Sequence, residues 1–163
     1  MNAVIRPALP SDAPACAKIY APFVTDSWVS FETEVATIAD MEQRIAEYGK
    51  THAWLIAEWE NDIAGYAYAS PHRTRAAYAT SVDVAVYVDP AFARKGIGRA
   101  LYKALFQNLK KAGFHAAFAG IALPNKGSIG LHEDMGFKPV GIYREVGWKM
   151  DAWRDVGWWQ RLL

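Results

Sequence analysis

The feature that most constrains the fold is a β-branched run that leads into a glycine-rich turn and then an amphipathic helix. The run, Val82 to Val88, is predicted to be a strand buried on both faces. In the helix, apolar residues fall on one face and Gly113 follows as the stop signal. These apolar residues are Ile97, Leu101, Ala104, Leu105 and Ala112. Strand, turn and helix in this order predict a sheet covered by helices.

The rest of the chain alternates in the same way. Three more helices are predicted, from Pro10-Ser11-Asp12 to about Phe23 with Ser11 as N-cap, from Thr37 to Gly49 with Asp40 in capping-box position, and from Ser128 to Met135 before Gly136. The other predicted strands are Ala3–Arg6, Trp54–Trp59, Ile63–Ala69, Ala116–Leu123, Lys138–Tyr143 and Trp158–Leu162, with a loop at Ser70–Ala79. The order β-α-α-β-β-β-α-β-α-β-β predicts an α/β (α+β) fold with a mixed sheet.

The composition limits the class of protein. A chain of 163 residues, 52% hydrophobic and 21% charged, predicts one domain spanning residues 1–163. The net charge of +1 argues against a nucleic-acid partner, which needs a basic field. No apolar run approaches the ~20 residues of a membrane span, and no signal segment opens the chain. A single cysteine, Cys16, excludes an internal disulfide, and His52, His72 and His115 share no metal spacing. These features predict a cytoplasmic protein with no metal and no membrane partner.

The glycine-rich turn is predicted to bind a phosphate group. Gly96 and Gly98 let the backbone approach a ligand, and the free N–H groups at the start of a helix favour an anion. Arg94, Lys95 and Arg99 add positive charge at the same place. The alternative is a loop that only needs two positive φ angles. Because the dinucleotide fingerprint and the P-loop pattern are both absent, the ligand must be a phosphate compound of another type.

Three motifs occur in order along the second half of the chain: Val86-Tyr87-Val88, the turn Arg94–Arg99, and Asn125 followed by His132-Glu133-Asp134-Met135-Gly136-Phe137. Together they resemble the Gcn5-related N-acetyltransferase (GNAT) superfamily. Three further segments resemble its phosphinothricin and methionine sulfoximine acetyltransferase branch: Ser30-Phe31-Glu32-Thr33, Arg73-Thr74-Arg75-Ala76-Ala77-Tyr78, and Gly147-Trp148-Lys149 through Gly157. The resemblance implies a mostly antiparallel central sheet with helices on both faces, and acetyl-coenzyme A as co-substrate. Ala93 departs from the family's turn pattern, which has Gln or Arg there.

Two side chains are candidates for proton transfer. Asp83 lies in an apolar strand, where burial raises the pKa of a carboxyl group and makes it a possible general base; the alternative is a structural ion pair. The resembling branch has a carboxylate at this position. His132 follows Asn125 by seven residues, as in that branch, and an imidazole gives or takes a proton near neutral pH. The sequence leaves open which of the two is the base, or whether they act as a linked pair.

The resemblance also implies the groups that bind the co-substrate. In the superfamily, a bulge in the strand at Val86, Tyr87 and Val88 frees N–H groups for the thioester carbonyl, and the turn Arg94–Arg99, with Lys95, Gly96, Ile97 and Gly98, holds the pyrophosphate. The side chain of Asn125 suits the amides of the pantetheine arm. It is equally suited to capping the helix that follows.

The expected substrate is small and carries a carboxylate. Arg73 or Arg75 is predicted to bind that group, because a guanidinium matches a carboxylate with two hydrogen bonds, while Phe31 and Tyr78 wall the rest of the molecule. Both arginines could equally be plain surface residues. The tryptophans crowded at the C-terminus (Trp148, Trp153, Trp158, Trp159) are predicted to lie in the core, with a homodimer interface as a further role.

Together these observations predict an acetyl-CoA-dependent N-acetyltransferase. Its expected substrate is the α-amino group of a compound such as methionine sulfoximine, methionine sulfone or phosphinothricin. Two alternatives remain open. The first is acetylation of a polypeptide N-terminus, a lysine or a polyamine, and the second is a non-catalytic acyl-CoA-binding sensor.

Overall fold

The computed structural model describes residues 2–163. The strands are β1 Val4–Pro7, β2 Ala53–Trp59, β3 Asp62–Pro71, β4 Ser81–Val88, β5 Ala116–Ala122, β6 Lys138–Trp148 and β7 Trp153–Leu162. The helices are α1 Ala13–Thr25, α2 Ile38–Thr51, α3 Ile97–Lys111 and α4 Lys126–Asp134. Their order along the chain is the predicted one. The strands form one seven-stranded sheet in the order β1-β2-β3-β4-β5-β7-β6, in which only the β4–β5 pair is parallel.

The helix ends follow the predicted signals in part. Thr37 and Asp40 form the expected capping box, with the Asp40 N–H donating to Thr37 Oγ1 at 3.1 Å. Gly113 and Gly136 follow their helices with φ of 90° and 86°, as stop signals require. The prediction of an N-cap at Ser11 is wrong, because a short 3₁₀ turn comes first and α1 begins at Ala13.

Three further boundaries differ from prediction. Helix α2 continues past Gly49 to Thr51, because nothing requires that glycine to leave the helical conformation. Strands β6 and β7 are longer than predicted and form a hairpin whose ends are joined by a Trp148–Trp153 ring contact. The extensions were missed because they carry charged residues: Arg144 and Glu145 follow the predicted end of β6, and Arg154 and Asp155 precede the predicted start of β7.

Each face of the sheet packs against a pair of helices. On one face α3 contributes the buried side chains of Leu101, Leu105 and Leu109, and α4 packs Ile129 and Leu131 against the same core. On the other face α1 and α2 cover β2 and β3, and their buried side chains include Cys16 and Met41. The apolar stripe predicted for α3 is therefore confirmed as a core face for Ile97, Leu101, Ala104 and Leu105, whereas Ala112 follows the helix and is exposed.

Two predictions about burial are wrong. Strand β4 is not buried on both faces: Val82 and Val84 pack under α3, whereas Asp83, Ala85 and Tyr87 on the opposite face border an open cleft. The C-terminal tryptophans also differ in burial, although all were predicted to lie in the core. Trp159 is buried, but Trp148 and Trp153 are 57% and 59% exposed. Both errors arise because apolar composition does not reveal where a sheet leaves an edge or a gap uncovered.

The gap opens between β4 and β5. These strands pair only from Ser81 to Asp83 on one side and from Ala116 to Phe118 on the other. Beyond that point β4 stays with β3, and β5 stays with β7. Among residues 2–163, no helix is long and apolar enough to cross a membrane.

The separated part of β4 has backbone groups without a strand partner. The Thr80 carbonyl faces β5 and accepts from the His115 N–H, whereas the Ser81 carbonyl faces β3 and accepts from the His72 N–H. Because backbone groups alternate along a strand, Val84, Val86 and Val88 direct their N–H groups toward the gap. These donors are available to a ligand.

Candidate active site

A central cleft of about 610 Å³ occupies the mouth of the gap between β4 and β5. Its lining residues are Tyr20, Val29, Ser30, Phe31, Glu32, Tyr68, Ser70, Asp83, Val84, Ala85, Tyr87, Gly120, Ala122, Val156 and Trp158. A narrow extension continues from it along β4 to Asn125 and His132, and shares Val84, Tyr87 and Gly120 with the cleft. One continuous space therefore connects two of the side chains singled out from the sequence.

Asp83 borders the cleft at the last position where β4 and β5 pair. Its Oδ1 lies 2.5 Å from Nδ1 of His72. Burial raises the pKa of the Asp83 carboxyl group above its ordinary value, and His72 and Arg73 oppose that rise. A carboxylate with a raised pKa at the edge of a cleft has the properties that a general base needs.

Sequence reasoning missed His72, which was considered only as a metal ligand. Because Ser70 of β3 pairs with Asp83, His72 is the diagonal neighbour of Asp83 on the same face of the two strands. The strand was predicted to end at Ala69, so this register was not visible. A correct estimate of the length of β3 would have revealed the pair.

His132 lies in a different environment from Asp83. Its side chain is buried, with Nε2 2.8 Å from the Tyr102 hydroxyl and Nδ1 2.7 Å from the Ser128 carbonyl oxygen. The carbonyl requires Nδ1 to carry the hydrogen, so Nε2 accepts from Tyr102. Burial lowers the pKa of His132. The linked pair considered from the sequence is not formed by direct hydrogen bonding, because Asp83 bonds to His72 instead.

The start of α3 forms the predicted anion-binding geometry. Gly96 is the N-cap with φ of 75°, and the helical hydrogen bonds begin with the Ala100 N–H donating to the Gly96 carbonyl. The N–H groups of Ile97, Gly98 and Arg99 therefore have no partner within the helix. No acidic side chain occupies the first turn. This helix end suits a phosphate group.

The charged side chains near this turn have partners of their own. Lys95 Nζ lies 4.8 Å from the ring centroid of Trp59, and Arg99 pairs with Asp134 at 2.8 Å on the surface. Such exposed pairs are weak, so both cations stay available to a ligand. Arg94 adopts a positive φ of 62°.

The structure gives Gly98 a second role besides the predicted backbone approach. A Cβ atom at this position would lie 3.2 Å from Leu131 Cδ2 and close to Val86 and Val88. Glycine therefore lets α3 pack tightly on β4 and α4, and a larger residue would disturb packing as well as ligand binding.

The bulge implied by the family resemblance is absent from the pairing of β4. Its register with β3 runs without a shift from Val88 to Val82. The free N–H groups of β4 arise instead from its separation from β5. The expected bulge is therefore wrong, but the expected free N–H groups are present at Val86 and Val88.

Asn125 caps α4, and its Oδ1 accepts from the Ser128 N–H at 3.1 Å. This confirms the capping alternative considered from the sequence. Asn125 also borders the narrow extension of the cleft. Its amide NH₂ group remains free to donate to a ligand there, so both interpretations of this residue are compatible.

The predicted substrate residues do not all reach the cleft. Phe31 lines it, with its ring packed where a side chain on Gly147 would lie. Arg73 donates from Nη1 to the His72 carbonyl at 2.7 Å and borders a neighbouring side cavity of about 180 Å³. Arg75 and Tyr78 are exposed on the loop before β4. Among the described residues that line the cleft, none is an arginine or a lysine.

Glu32 is a second carboxylate in the cleft to which the sequence assigned no role. It accepts hydrogen bonds from Arg44 and from the Tyr20 hydroxyl, and the arginine lowers its pKa. The backbone on either side is fixed by Lys149, whose Nζ donates to the carbonyls of Ser30 at 2.6 Å and Glu32 at 2.8 Å. The β6–β7 hairpin thereby holds the loop that forms one wall of the cleft.

Comparison with known proteins identifies the class of protein. Residues 5–158 match the family model described as an acetyltransferase (GNAT) domain, so the chain belongs to the GNAT family of acetyltransferases. Phosphinothricin N-acetyltransferase from Streptomyces viridochromogenes is 38% identical over 157 residues, which are 96% of this chain and 86% of that protein. The resemblance drawn from the motifs is confirmed.

Two further comparisons support the same branch. An L-methionine sulfoximine/L-methionine sulfone acetyltransferase from Salmonella typhimurium is 32% identical over 128 residues, 76% of this chain and 75% of that protein. The crystal structure of a GNAT superfamily phosphinothricin acetyltransferase from Sinorhizobium meliloti in complex with AcCoA superposes with a TM-score of 0.96 at 32% identity. The match covers 100% of this chain and 89% of that one.

The buried His132 makes stability depend on pH. Because its pKa is lowered in the folded state, the unfolded chain binds more protons as the pH falls through the ordinary histidine value of about 6.5. The free energy of unfolding should therefore fall between about pH 7.5 and about pH 5.5. In His132→Gln, which keeps an acceptor for Tyr102 but does not titrate there, this fall should be smaller. Urea unfolding at both pH values measures it.

The control for this experiment is His115→Gln, at an exposed position. It should show the same pH dependence as the unsubstituted protein. A fall in the unfolding free energy that is equal in His132→Gln and His115→Gln would contradict the assignment of the effect to His132.

Proposed function

We propose that this acetyltransferase moves the acetyl group of acetyl-CoA to the α-amino group of a small amino-acid-like compound of the methionine sulfoximine, methionine sulfone or phosphinothricin type. The observation that carries the proposal is the position of Asp83, a carboxylate with a raised pKa at the mouth of a gap lined by free backbone donors. The names of the relatives, which act on such compounds, support the substrate class.

Acetyl-CoA supplies an activated acetyl group, and the chain offers a set of groups that fit it. The N–H groups at the start of α3, together with Arg94, Lys95 and Arg99, suit the pyrophosphate. The N–H groups of Val86 and Val88 and the amide of Asn125 suit the pantetheine arm and the thioester carbonyl. Donors fixed in the backbone stabilise the developing oxyanion without having to reorganise.

Asp83 acts as the general base in this proposal. The substrate amine arrives as an ammonium ion and must lose a proton before it attacks the thioester carbon. Asp83 is the carboxylate next to both the cleft and the gap, and its raised pKa strengthens it as a base. The bonds of His132 within the protein favour a positioning role for this residue, behind Tyr102, over direct proton exchange with substrate.

Removing the carboxylate of Asp83 tests the proposed chemistry. Asp83→Asn should lower kcat at least ~100-fold, because positioned acid–base groups contribute about that much. The affinity for acetyl-CoA, measured by calorimetry, should stay unchanged, since the proposed cofactor contacts lie elsewhere. Thiol release during turnover on methionine sulfoximine measures kcat.

Asp151→Asn, in the exposed turn between β6 and β7, is the matched control and should keep full activity. An Asp83→Asn enzyme with nearly unchanged kcat would remove Asp83 from the mechanism. A folded protein that binds acetyl-CoA but releases no thiol with any amine would favour the non-catalytic sensor.

Arg75 is the group we propose for the substrate carboxylate. Arg73 is engaged by the His72 carbonyl and lies near the Trp158 ring, whereas no hydrogen bond of the Arg75 side chain is found among residues 2–163. Arg75 lies on the loop that leads into β4, and Asp83 is the third residue of that strand. A carboxylate bound by this loop would hold the α-amine near the base.

Arg75→Ala should lower kcat/KM for methionine sulfoximine by roughly 10- to 150-fold, because a charge-assisted hydrogen bond contributes ~1.5–3 kcal/mol. For the amide of the same compound, which lacks the carboxylate charge, the loss should be much smaller. Steady-state kinetics on both compounds make the comparison. Equal losses on acid and amide would show that Arg75 only shapes the loop.

A second substrate class has one observation in its favour. The lining of the cleft contains the carboxylates of Asp83 and Glu32 and, among the described residues, no cationic side chain, which suits a polyamine or the ammonium group of a lysine. The same assay on a panel of polyamines, peptides and free amino acids separates the two classes. Efficient acetylation of polyamines or peptide lysines, but not of free amino acids, would replace the proposed substrate.

We also propose that the protein works in the cytoplasm, where acetyl-CoA is available, as a homodimer that pairs through β6. This strand forms an edge of the sheet, and Val140, Ile142 and Val146 are exposed along it. An exposed apolar edge strand offers unpaired backbone groups to a second copy of the same strand.

Charge at this edge should prevent the pairing. Ile142→Lys should sediment as a monomer under conditions in which the unsubstituted protein sediments as a dimer, because a lysine on an edge strand opposes pairing. Gln107→Lys, on the exposed side of α3, adds the same charge elsewhere and should leave the dimer intact. Monomeric behaviour of the unsubstituted protein would overturn the proposed dimer.

A further inference from the structure

His72 and Asp83 form a hydrogen-bonded pair that the backbone of two strands fixes in place. The pair lies where β3 ends and β4 begins, and the His72 N–H donates to the Ser81 carbonyl at 3.3 Å, one residue beyond the end of β3. Nδ1 of the His72 ring forms a hydrogen bond with Oδ1 of Asp83, and the two atoms lie 2.5 Å apart. Because His72 directly follows β3 and its N–H bonds to β4, the separation of the two side chains does not depend on the conformation of a long loop.

The imidazole ring of His72 is held on three sides by aromatic rings. It stacks on Phe118 with centroids 4.2 Å apart and planes 14° apart. Trp158 and Tyr78 approach it edge-on, each with centroids 6.0 Å away. With only 12% of the side chain exposed, the ring has little freedom to turn away from Asp83.

The two members of the pair face different spaces. Asp83 lines the central cleft, while His72 lines the side cavity together with Arg73, Phe118 and Trp158, and Trp158 borders both spaces. His72 therefore lies beside the carboxylate on the same face of the sheet and is not among the residues that line the cleft. This arrangement suits a residue that orients another one rather than a residue that touches substrate.

We propose that His72 is a positioning residue for Asp83: its Nδ1–H donates to Oδ1, which leaves Oδ2 directed at the substrate amine. The inference rests on the proposed role of Asp83 as general base. In the reaction the ammonium loses two protons. Asp83 takes the first proton and later releases it to water. The electron pair left on nitrogen forms the C–N bond to the acetyl carbon, and the C–S bond of the thioester breaks with its electron pair on sulfur. The second proton goes to the departing thiolate, and His72 keeps its own proton throughout.

The pair also sets how basic Asp83 is. A hydrogen bond from His72 stabilises the carboxylate and opposes the rise in the Asp83 pKa that burial causes, and the positive charge of Arg73 acts in the same direction. The other titratable groups around the pair are Glu32 across the cleft, Tyr68 on β3, Tyr20 on α1, Tyr87 on β4, and Tyr78 beside His72. Removal of the His72 donor alone should therefore raise the pKa of Asp83.

The test compares two substitutions at His72. His72→Phe keeps a ring for stacking on Phe118 but removes the donor, whereas His72→Asn keeps an N–H donor near the position of Nδ1. His72→Phe should lower kcat/KM about tenfold or more, as expected for the loss of a hydrogen bond to a charged group. Because the base must be deprotonated, the acidic limb of the pH–rate profile should move to higher pH by roughly one unit. His72→Asn should restore most of the rate and the position of the limb.

His52→Phe is the matched control, because His52 also stacks on a phenylalanine, Phe114, but lies away from the cleft. It should leave both the rate and the pH profile unchanged. Calorimetry with acetyl-CoA and thermal unfolding of each variant separate a local effect from a loss of fold. If His72→Phe does not fold, His72→Leu, which also removes the donor, takes its place: an acidic limb moved to higher pH supports the proposal, and an unmoved limb overturns it.

The outcomes separate this inference from the proposed function. If Asp83→Asn is inactive and His72→Phe slows catalysis with a shifted acidic limb, His72 positions the base. In the Asp83→Asn background, His72→Phe should then cause little further loss. An unmoved acidic limb in His72→Phe, or equal impairment of the Phe and Asn variants, overturns the role of His72 while leaving Asp83 in place. An active Asp83→Asn enzyme overturns the proposed base itself, and with it this role of His72.

Discussion

The separation of β4 from β5 after Asp83 and Phe118 is the constraint on which the rest of the structure depends. Each strand keeps one partner beyond this point, β3 for β4 and β7 for β5, so neither is lost from the sheet. Each also gives up one row of hydrogen bonds, which leaves N–H groups of β4 facing an open gap. An ordinary sheet would bury these groups in pairing. Here they face the space that leads from the central cleft to Asn125 and His132.

The carboxylates of the cleft each have hydrogen-bond partners within the protein. Asp83 is paired with His72, and Glu32 accepts from Arg44 outside the cleft and from Tyr20 within it. A partly buried carboxylate without such support would be costly, and it would also lack a fixed direction. The same principle applies to the loop at Phe31 and Glu32, which Lys149 fixes through two backbone carbonyls.

Local signals explain which elements could be predicted. The β-branched run of β4, the apolar stripe of α3, the capping box at Thr37 and the stop signals at Gly113 and Gly136 all act over a few residues, and each appears in the structure. The errors lie where no local signal exists. The length of β3 depends on its pairing with β4, and the missed parts of β6 and β7 carry charged residues that only the pairing of the hairpin makes part of the strands.

The sequence by itself determined the order of the elements, the glycine-rich turn at the start of α3, and a carboxylate in the middle of an apolar strand. The chemistry of these features belongs to the residue types and their spacing. Only the tertiary structure decided which histidine meets that carboxylate. The sequence directed attention to His132, which the fold places beside Tyr102 and Ser128, and it gave no reason to choose His72. The pairing of β3 with β4 brings His72 to Asp83, because strand register joins residues 11 positions apart that no local pattern connects.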